Sequence, residues 1–385
     1  MKVIIVFFIL ISFYIKINAQ NKKIIWDDQK RTPIEYASVK SSENYTISNE
    51  NGEFNMENLK GILNIQRLGY QNIEINSDYF IKNDTIKMMP YFYQLEEIVV
   101  TNDDKFKKMV NTILTDYALE PHQENFFLRV ILKKNDEYYK IIDFSGQLER
   151  KTLFDISSKP MPKNNLAVNI NNMRKFGLEN RNLDFEMLSF ENFITRIATI
   201  YLSPKIYNFE NNISLDNSYT KLDVTSKDMQ ETSTTGYYLI NNIDNTFNEV
   251  FISNKDNNKE FSKKGNIRYR TTSYELKTNF KQNQISNKYQ LNMSVFKSNV
   301  ETILDNEKNN FDITYVYYAV PLNDKSNIKN NINLNKDMFD LNIKYNPEYW
   351  KNHEILPLTN EMQEFINKVN SMGRNSDFRT KSNIK

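Results

Sequence analysis

Apolar residues open this chain as one almost wholly apolar block, broken only by Ser12, and afterwards return mostly at every second position. The block runs from Val3 to Ile15 behind Lys2, and Lys16-Ile17-Asn18-Ala19-Gln20 comes next. Its 13 residues are too few for a bilayer helix, which needs about 20. A short cationic start, an apolar core and the small residue Ala19 predict a signal peptide over residues 1–19, cleaved after Ala19. An uncleaved anchor is the competing reading.

Residues 20–101 carry the period of two that short, half-buried strands impose. Ile24-Ile25-Trp26 is an apolar run. Ile34, Tyr36 and Ser38 then alternate with Glu35, Ala37 and Val39 behind Pro33, a residue suited to a strand entrance. Asn51-Gly52 predicts a tight hairpin, because it supplies positive φ angles, and Phe54 and Met56 follow at period two. Ile62-Leu63-Asn64-Ile65, Ile73-Glu74-Ile75, Ile86-Lys87-Met88 and Ile98-Val99-Val100 complete about seven strands. That density predicts a seven-stranded β-sandwich.

The period then changes. Phe106, Met109, Val110, Ile113, Leu114 and Tyr117 fall on one face of a helix, with Asn102 to Asp104 at its start and Pro121 beyond its end. Residues 102–125 are therefore expected to form a helical connector packed on the second domain, with a partner-binding helix as the alternative. Over 126–370 the chain is β-rich again. Phe126 to Leu132 and Tyr138 to Leu148 predict a hairpin around Lys134-Asn135-Asp136, and residues 155–184 a long polar loop. Phe190, Phe193, Ile194, Ile197 and Tyr201 recur at helical spacing. Strands are expected at 222–224, 237–243, 250–253, 274–280, 289–296 and 311–320, and a last helix around Met362, Phe365, Ile366 and Val369. The pattern predicts a larger α+β domain, a curved antiparallel sheet with one wet face and helices over the other, and a disordered tail at 371–385.

Four short motifs of the first region occur together in order: Pro33-Ile34-Glu35-Tyr36-Ala37-Ser38-Val39, Asn51-Gly52-Glu53-Phe54, Leu68-Gly69-Tyr70 and Leu95-Glu96-Glu97-Ile98-Val99-Val100. In this the chain resembles the carboxypeptidase regulatory-like domain, although Ile24-Ile25-Trp26-Asp27 stands where a glycine usually opens the first strand. The resemblance implies a transthyretin-like sandwich fold. It also implies a place in a Gram-negative envelope, where such domains precede TonB-dependent receptors or begin shorter exported proteins of unknown role. Tyr345-Asn346-Pro347-Glu348-Tyr349-Trp350-Lys351-Asn352 resembles the C-terminal part of those shorter proteins.

Charge and composition narrow the function classes. Lys+Arg 50 against Asp+Glu 48 gives +2, so no global field recruits nucleic acid. Cysteine is absent, which removes disulfides, thiolate metal sites and thiol nucleophiles. The two histidines, His122 and His353, sit in no zinc-hydrolase spacing, and no serine stands in a nucleophile elbow. No Gly-rich phosphate loop occurs. The sequons at Asn44 and Asn83 carry nothing, and Lys105, Lys107 and Lys108 are expected on a solvated helix face. No catalytic, cofactor-binding or metal residue is therefore nominated, and no cofactor is expected. The expectation is a non-catalytic exported protein, periplasmic or peripherally associated with the outer membrane. Its partner would be an envelope protein or a small, lipid-like ligand. A small outer-membrane β-barrel of transport-receptor type and a cryptic hydrolase are the alternatives; a mean hydropathy of −0.64 weighs against the barrel.

Overall fold

The computed structural model describes residues 22–67, 69–90, 102–156, 159–180, 186–215, 218–228, 233–256, 259–323, 326–353, 355–372, 378–380 and 382–383. The protein is mainly β, built on antiparallel sheets. It divides into two compact units, residues 1–91 with 351–360, and residues 92–350 with 361–385. The predicted signal peptide and the expected strand at 98–100 lie outside the described residues.

The first unit contains β1 (Lys22–Asp27), β2 (Thr32–Pro33), β3 (Ser38–Lys40), β4 (Tyr45–Ile47), β5 (Glu53–Asn55), β6 (Ile62–Gln66), β7 (Ile73–Asn76), the short helix α1 (Tyr79–Lys82) and β8 (Thr85–Met88). They form two four-stranded sheets, β2-β1-β5 with β8 parallel on β1, and β4-β3-β6-β7. Both sheets feed one core: Ile25, Phe54 and Ile86 from the first meet Val39, Leu63 and Ile65 from the second.

Two local expectations are corrected here. The alternation from Ile34 to Val39 is not one strand, because Tyr36 takes a φ of 56° between β2 and β3. Ser48 fixes that corner: its Oγ donates to Ile34 O at 2.7 Å and accepts from Ala37 N at 2.8 Å. Nor does Asn51-Gly52 close a hairpin. Gly52 does take a positive φ of 70°, but β4 pairs with β3 and β5 with β1, so the turn carries the chain from one sheet to the other. A distant segment also completes this unit, with Ile47 N donating to Ile355 O at 2.8 Å and Lys22 Nζ to Leu358 O at 2.9 Å.

The second unit opens with α2 (Asn102–Asp116), followed by β9 (His122–Lys134), β10 (Glu137–Arg150), β11 (Leu166–Asn180) and α3 (Phe190–Ile197). Then come β12 (Tyr207–Leu215), β13 (Tyr219–Ser226), β14 (Ser233–Asn241), β15 (Phe247–Lys255), β16 (Ser262–Lys264), β17 (Ile267–Gln282), β18 (Tyr289–Leu304) and β19 (Glu307–Leu322). A 3₁₀ turn at Met338–Asp340, α4 (Pro347–Asn352), α5 (Asn360–Ser371) and β20 (Phe378–Thr380) complete the order. One antiparallel sheet runs β12-β13-β14-β15-β17-β18-β19-β9-β10-β11-β20, with β16 hung on β17.

The hairpin predicted at Lys134-Asn135-Asp136 is present, with Asn135 and Asp136 at φ 50° and 69°. The loop predicted over 155–184 is not. It contains β11, whose apolar positions Leu166, Val168 and Ile170 change phase to Met173 across a bulge opposite Ser145 and Gly146. That phase change, with asparagines between, hides the period. Residues 378–380, expected to be disordered, pair with β11 at Leu178–Asn180.

The sheet also departs from the expected single covered face. Phe126, Leu128 and Val130 of β9 are buried on one side, and Phe127, Arg129 and Ile131 on the other. Helix α3 covers the first face, Phe190 lying 6.0 Å from Phe126 and 5.1 Å from Phe144. On the second face α5 buries Met362, Phe365 and Ile366, and the Phe365 ring lies 6.0 Å from that of Tyr138. Across β17 and β18, by contrast, Arg268, Glu275 and Asn299 face solvent. There one face is wet, as alternation predicts.

Candidate functional site

Within the second unit, the face of β17–β19 that carries α3 holds a cavity of about 370 Å³. Its floor is made by alternate residues of three strands. Thr271 of β17 lies opposite Val300 of β18, Tyr274 opposite Ser298, and Ile313 and Tyr315 of β19 opposite Ser298 and Phe296. Strict alternation from Ile267, Tyr269 and Thr271 would turn Tyr274 outward. A bulge between Thr271 and Ser273 inserts the extra residue that returns Tyr274 to the cavity face.

Helix α3 forms the wall. Ser189 caps it, accepting from Asn192 N at 3.2 Å, and Phe193 stacks on Tyr315 with centroids 4.9 Å apart. Leu188 N donates to the Tyr315 hydroxyl at 3.0 Å, so that buried oxygen is satisfied; burial drives its pKa up and it stays protonated. Arg196 in the last turn then falls over the Tyr274 and Phe296 rings, 5.7 and 5.4 Å from their centroids. At the rim Lys264 pairs with Glu186 at 2.5 Å. Thr302, at the far end of β18, is 2% exposed, and its hydroxyl has no partner among the described residues.

The amino-acid pattern nominates no site residue, and the cavity shows why it passes this one by. Strands are expected at 274–280 and 289–296, whereas Ile267, Tyr269, Thr271, Ser298, Val300 and Thr302 lie on extensions of those strands. The apolar alternation there is short, Ile267 and Tyr269 on β17 and Val300 alone between Ser298 and Thr302 on β18, and it breaks at Thr271-Thr272-Ser273, so the extensions stand out poorly from their polar surroundings. Of the strand residues that line the cavity, Tyr274, Phe296, Ile313 and Tyr315 stand inside predicted strands.

The two histidines and the lysines of α2 lie elsewhere. His122 is on β9 with its Nδ1 2.8 Å from Glu120 O, and His353 belongs to the other unit. Among the described residues no group of three or more His, Asp or Glu is placed to hold a metal ion. Lys107 and Lys108 are exposed as expected, but Lys105 is half-buried and donates to Asn245 Oδ1 at 3.0 Å. Two buried ion clusters have no counterpart in the sequence pattern. Asp143 lies between Arg129 and Arg174, and Glu124 accepts from Arg150 and from the Tyr317 hydroxyl at 2.5 and 2.6 Å.

No known protein family matches the chain. No curated protein matches it either. Among solved structures, the crystal structure of MucB in complex with MucA(peri) is similar over 56% of this chain and 92% of that one, at 8% identity and a TM-score of 0.15. A likeness of that size carries no argument about fold or role.

Proposed function

We propose that this chain is an exported, non-catalytic envelope protein that holds a small, lipid-like ligand in the cavity on β17–β19. The cavity is the observation that carries this reading. At about 370 Å³ it falls within the size range of small-molecule sites, roughly 300–1,000 Å³. Leu188, Ile267, Phe296, Val300 and Ile313 line it, and an apolar ligand gains by removing such surface from water at about 25 cal/mol per Å².

The N-terminal apolar block with Ala19 supports export. The first unit is proposed as a transthyretin-like, carboxypeptidase regulatory-like module that docks the protein at the periplasmic side of the outer membrane. Two four-stranded sheets over one core, Gly52 at positive φ and Phe54 buried just after it support that assignment. The second unit's strand path begins at β12 and ends at β20 among the described strands, which favours a binding domain over a closed barrel.

The test is to purify the exported chain without detergent, extract it with organic solvent and identify what comes out by mass spectrometry. A near-stoichiometric apolar molecule is expected from the wild type, and much less from Val300→Trp, whose indole fills the cavity. A wild-type chain that carries no such molecule, and takes up neither dodecanoate nor dodecanol, overturns the reading.

A further inference from the structure

Three groups in the cavity are polar in ways its apolar floor does not explain. Arg196 extends five guanidinium donors at the mouth. Its described neighbours there are the aromatic faces of Tyr274 and Phe296, and no carboxylate pairs with it among the described residues. The other cation of the lining, Lys264, is held by Glu186. Two cations against one carboxylate leave the lining at a net +1. The third group is the buried, unpartnered hydroxyl of Thr302.

These groups are ordered along β18. Arg196 stands over Phe296, and Thr302 lies six residues further along the same strand, roughly 20 Å away at strand spacing. Val300 lines the cavity between them, with Ile267 and Ile313 on the flanking strands. A slot with a free cation at one end and apolar walls along its length suits a molecule that has an anionic head and an apolar chain.

We infer that the cavity selects a single-chain anionic amphiphile of the fatty-acid type, with its carboxylate against Arg196 and its chain laid along β18 towards Thr302. This rests on the proposed ligand-binding role and adds the head-group chemistry to it. The aromatic pair holds the guanidinium at the mouth before any ligand arrives, so little side-chain freedom is lost when the carboxylate docks. A carboxylate forms paired, charge-assisted hydrogen bonds with such a fork, and neither an alcohol nor a quaternary ammonium reproduces them.

Calorimetric titration of the delipidated full chain with dodecanoate, dodecanol and dodecyltrimethylammonium tests this. The expected order is dodecanoate first, by about ten-fold over dodecanol, with the ammonium weakest. Arg196→Gln should bring dodecanoate down to the level of dodecanol, and Arg196→Lys should restore part of the preference. Arg268→Gln, on the wet face of β17, is the charge-matched control and should change nothing. If dodecanol binds the wild type as tightly as dodecanoate, or Arg196→Gln keeps the preference, the head-group assignment is wrong and the apolar cavity stands. If none of the three binds, both readings fall together.

Discussion

Arg129 and Asp143 face one another across β9 and β10, joined by hydrogen bonds of 2.8 and 2.9 Å, with both side chains sealed from solvent. Arg174 reaches the same carboxylate from β11 at 2.8 Å, and its guanidinium lies 4.6 Å from the Trp350 ring centroid. One buried anion thus holds two cations on the sheet face covered by α5. Removing it leaves both charges without compensation in a medium that solvates them poorly. Asp143→Asn keeps the shape and loses the charge, and should cost about 3–5 kcal/mol, read as a lower urea midpoint. A change within experimental error would mean that solvent reaches the pair.

The same site sets an acid limit. Burial pushes the Asp143 carboxyl up, but the charges and hydrogen bonds of Arg129 and Arg174 outweigh it and hold the group below the ordinary value of 3.8. A depressed carboxylate contributes its full stability above the unfolded-state value and loses it as pH falls through the folded one. Asp143 therefore leaves stability flat down to about pH 4.

His122 acts in a different window. Burial, and then the Arg150 charge, lower its imidazole from 6.5 to about 4. The folded state refuses a proton that the unfolded chain accepts, so stability falls as pH drops from 6.5 towards 4 and levels off below. The loss should be on the order of 2 kcal/mol, since the residue as a whole is only half-buried. His122→Gln should flatten urea midpoints measured between those pH values. An unchanged slope would assign the acid sensitivity elsewhere.

The sequence made some of this legible and not the rest, for physical reasons. A helix writes its packing face into one spacing, so the Phe190, Phe193, Ile194 and Ile197 face of α3 was readable, as was that of α5. Strands on a half-wet sheet are readable while the period holds. Bulges at Ser145 and Gly146 and at Thr271 to Ser273 shift that period, and they concealed β11 and the outer half of β17. The pairing of Arg129 with Asp143, 14 residues apart, needed a hairpin register that alternation alone does not fix. Arg196 was legible as a helix residue, but its aromatic seat comes from two other strands.

Gly52 and Gly61 separate the two costs of a left-handed glycine. Both have positive φ, 70° and 74°. A side chain at Gly61 meets open space, whereas a Cβ at Gly52 would lie 2.6 Å from Ile25 O. That carbonyl already accepts from Ile34 N at 2.9 Å and cannot retreat without breaking the corner. Gly61→Ala should cost about 1 kcal/mol from backbone strain alone, and Gly52→Ala about 3 kcal/mol or more. Equal losses in thermal unfolding would show that β1 yields to the added methyl.

Thr302 tests what fills the cavity. Its hydroxyl is buried and lacks a partner among the described residues, and such a group costs about 1–3 kcal/mol when nothing accepts or donates to it. Thr302→Val keeps the branched shape and removes the oxygen. In the delipidated chain it should raise stability by about 1 kcal/mol. If the valine variant is less stable than the wild type, the hydroxyl is already paired inside the empty cavity, and water is the partner small enough to reach it. The comparison should be repeated with dodecanoate bound. The apolar end of that chain offers Thr302 no acceptor, so the stabilisation by valine should persist. If it reverses only when ligand is present, the occupant carries a polar group at its far end, and the chain laid along β18 is not a simple fatty acid.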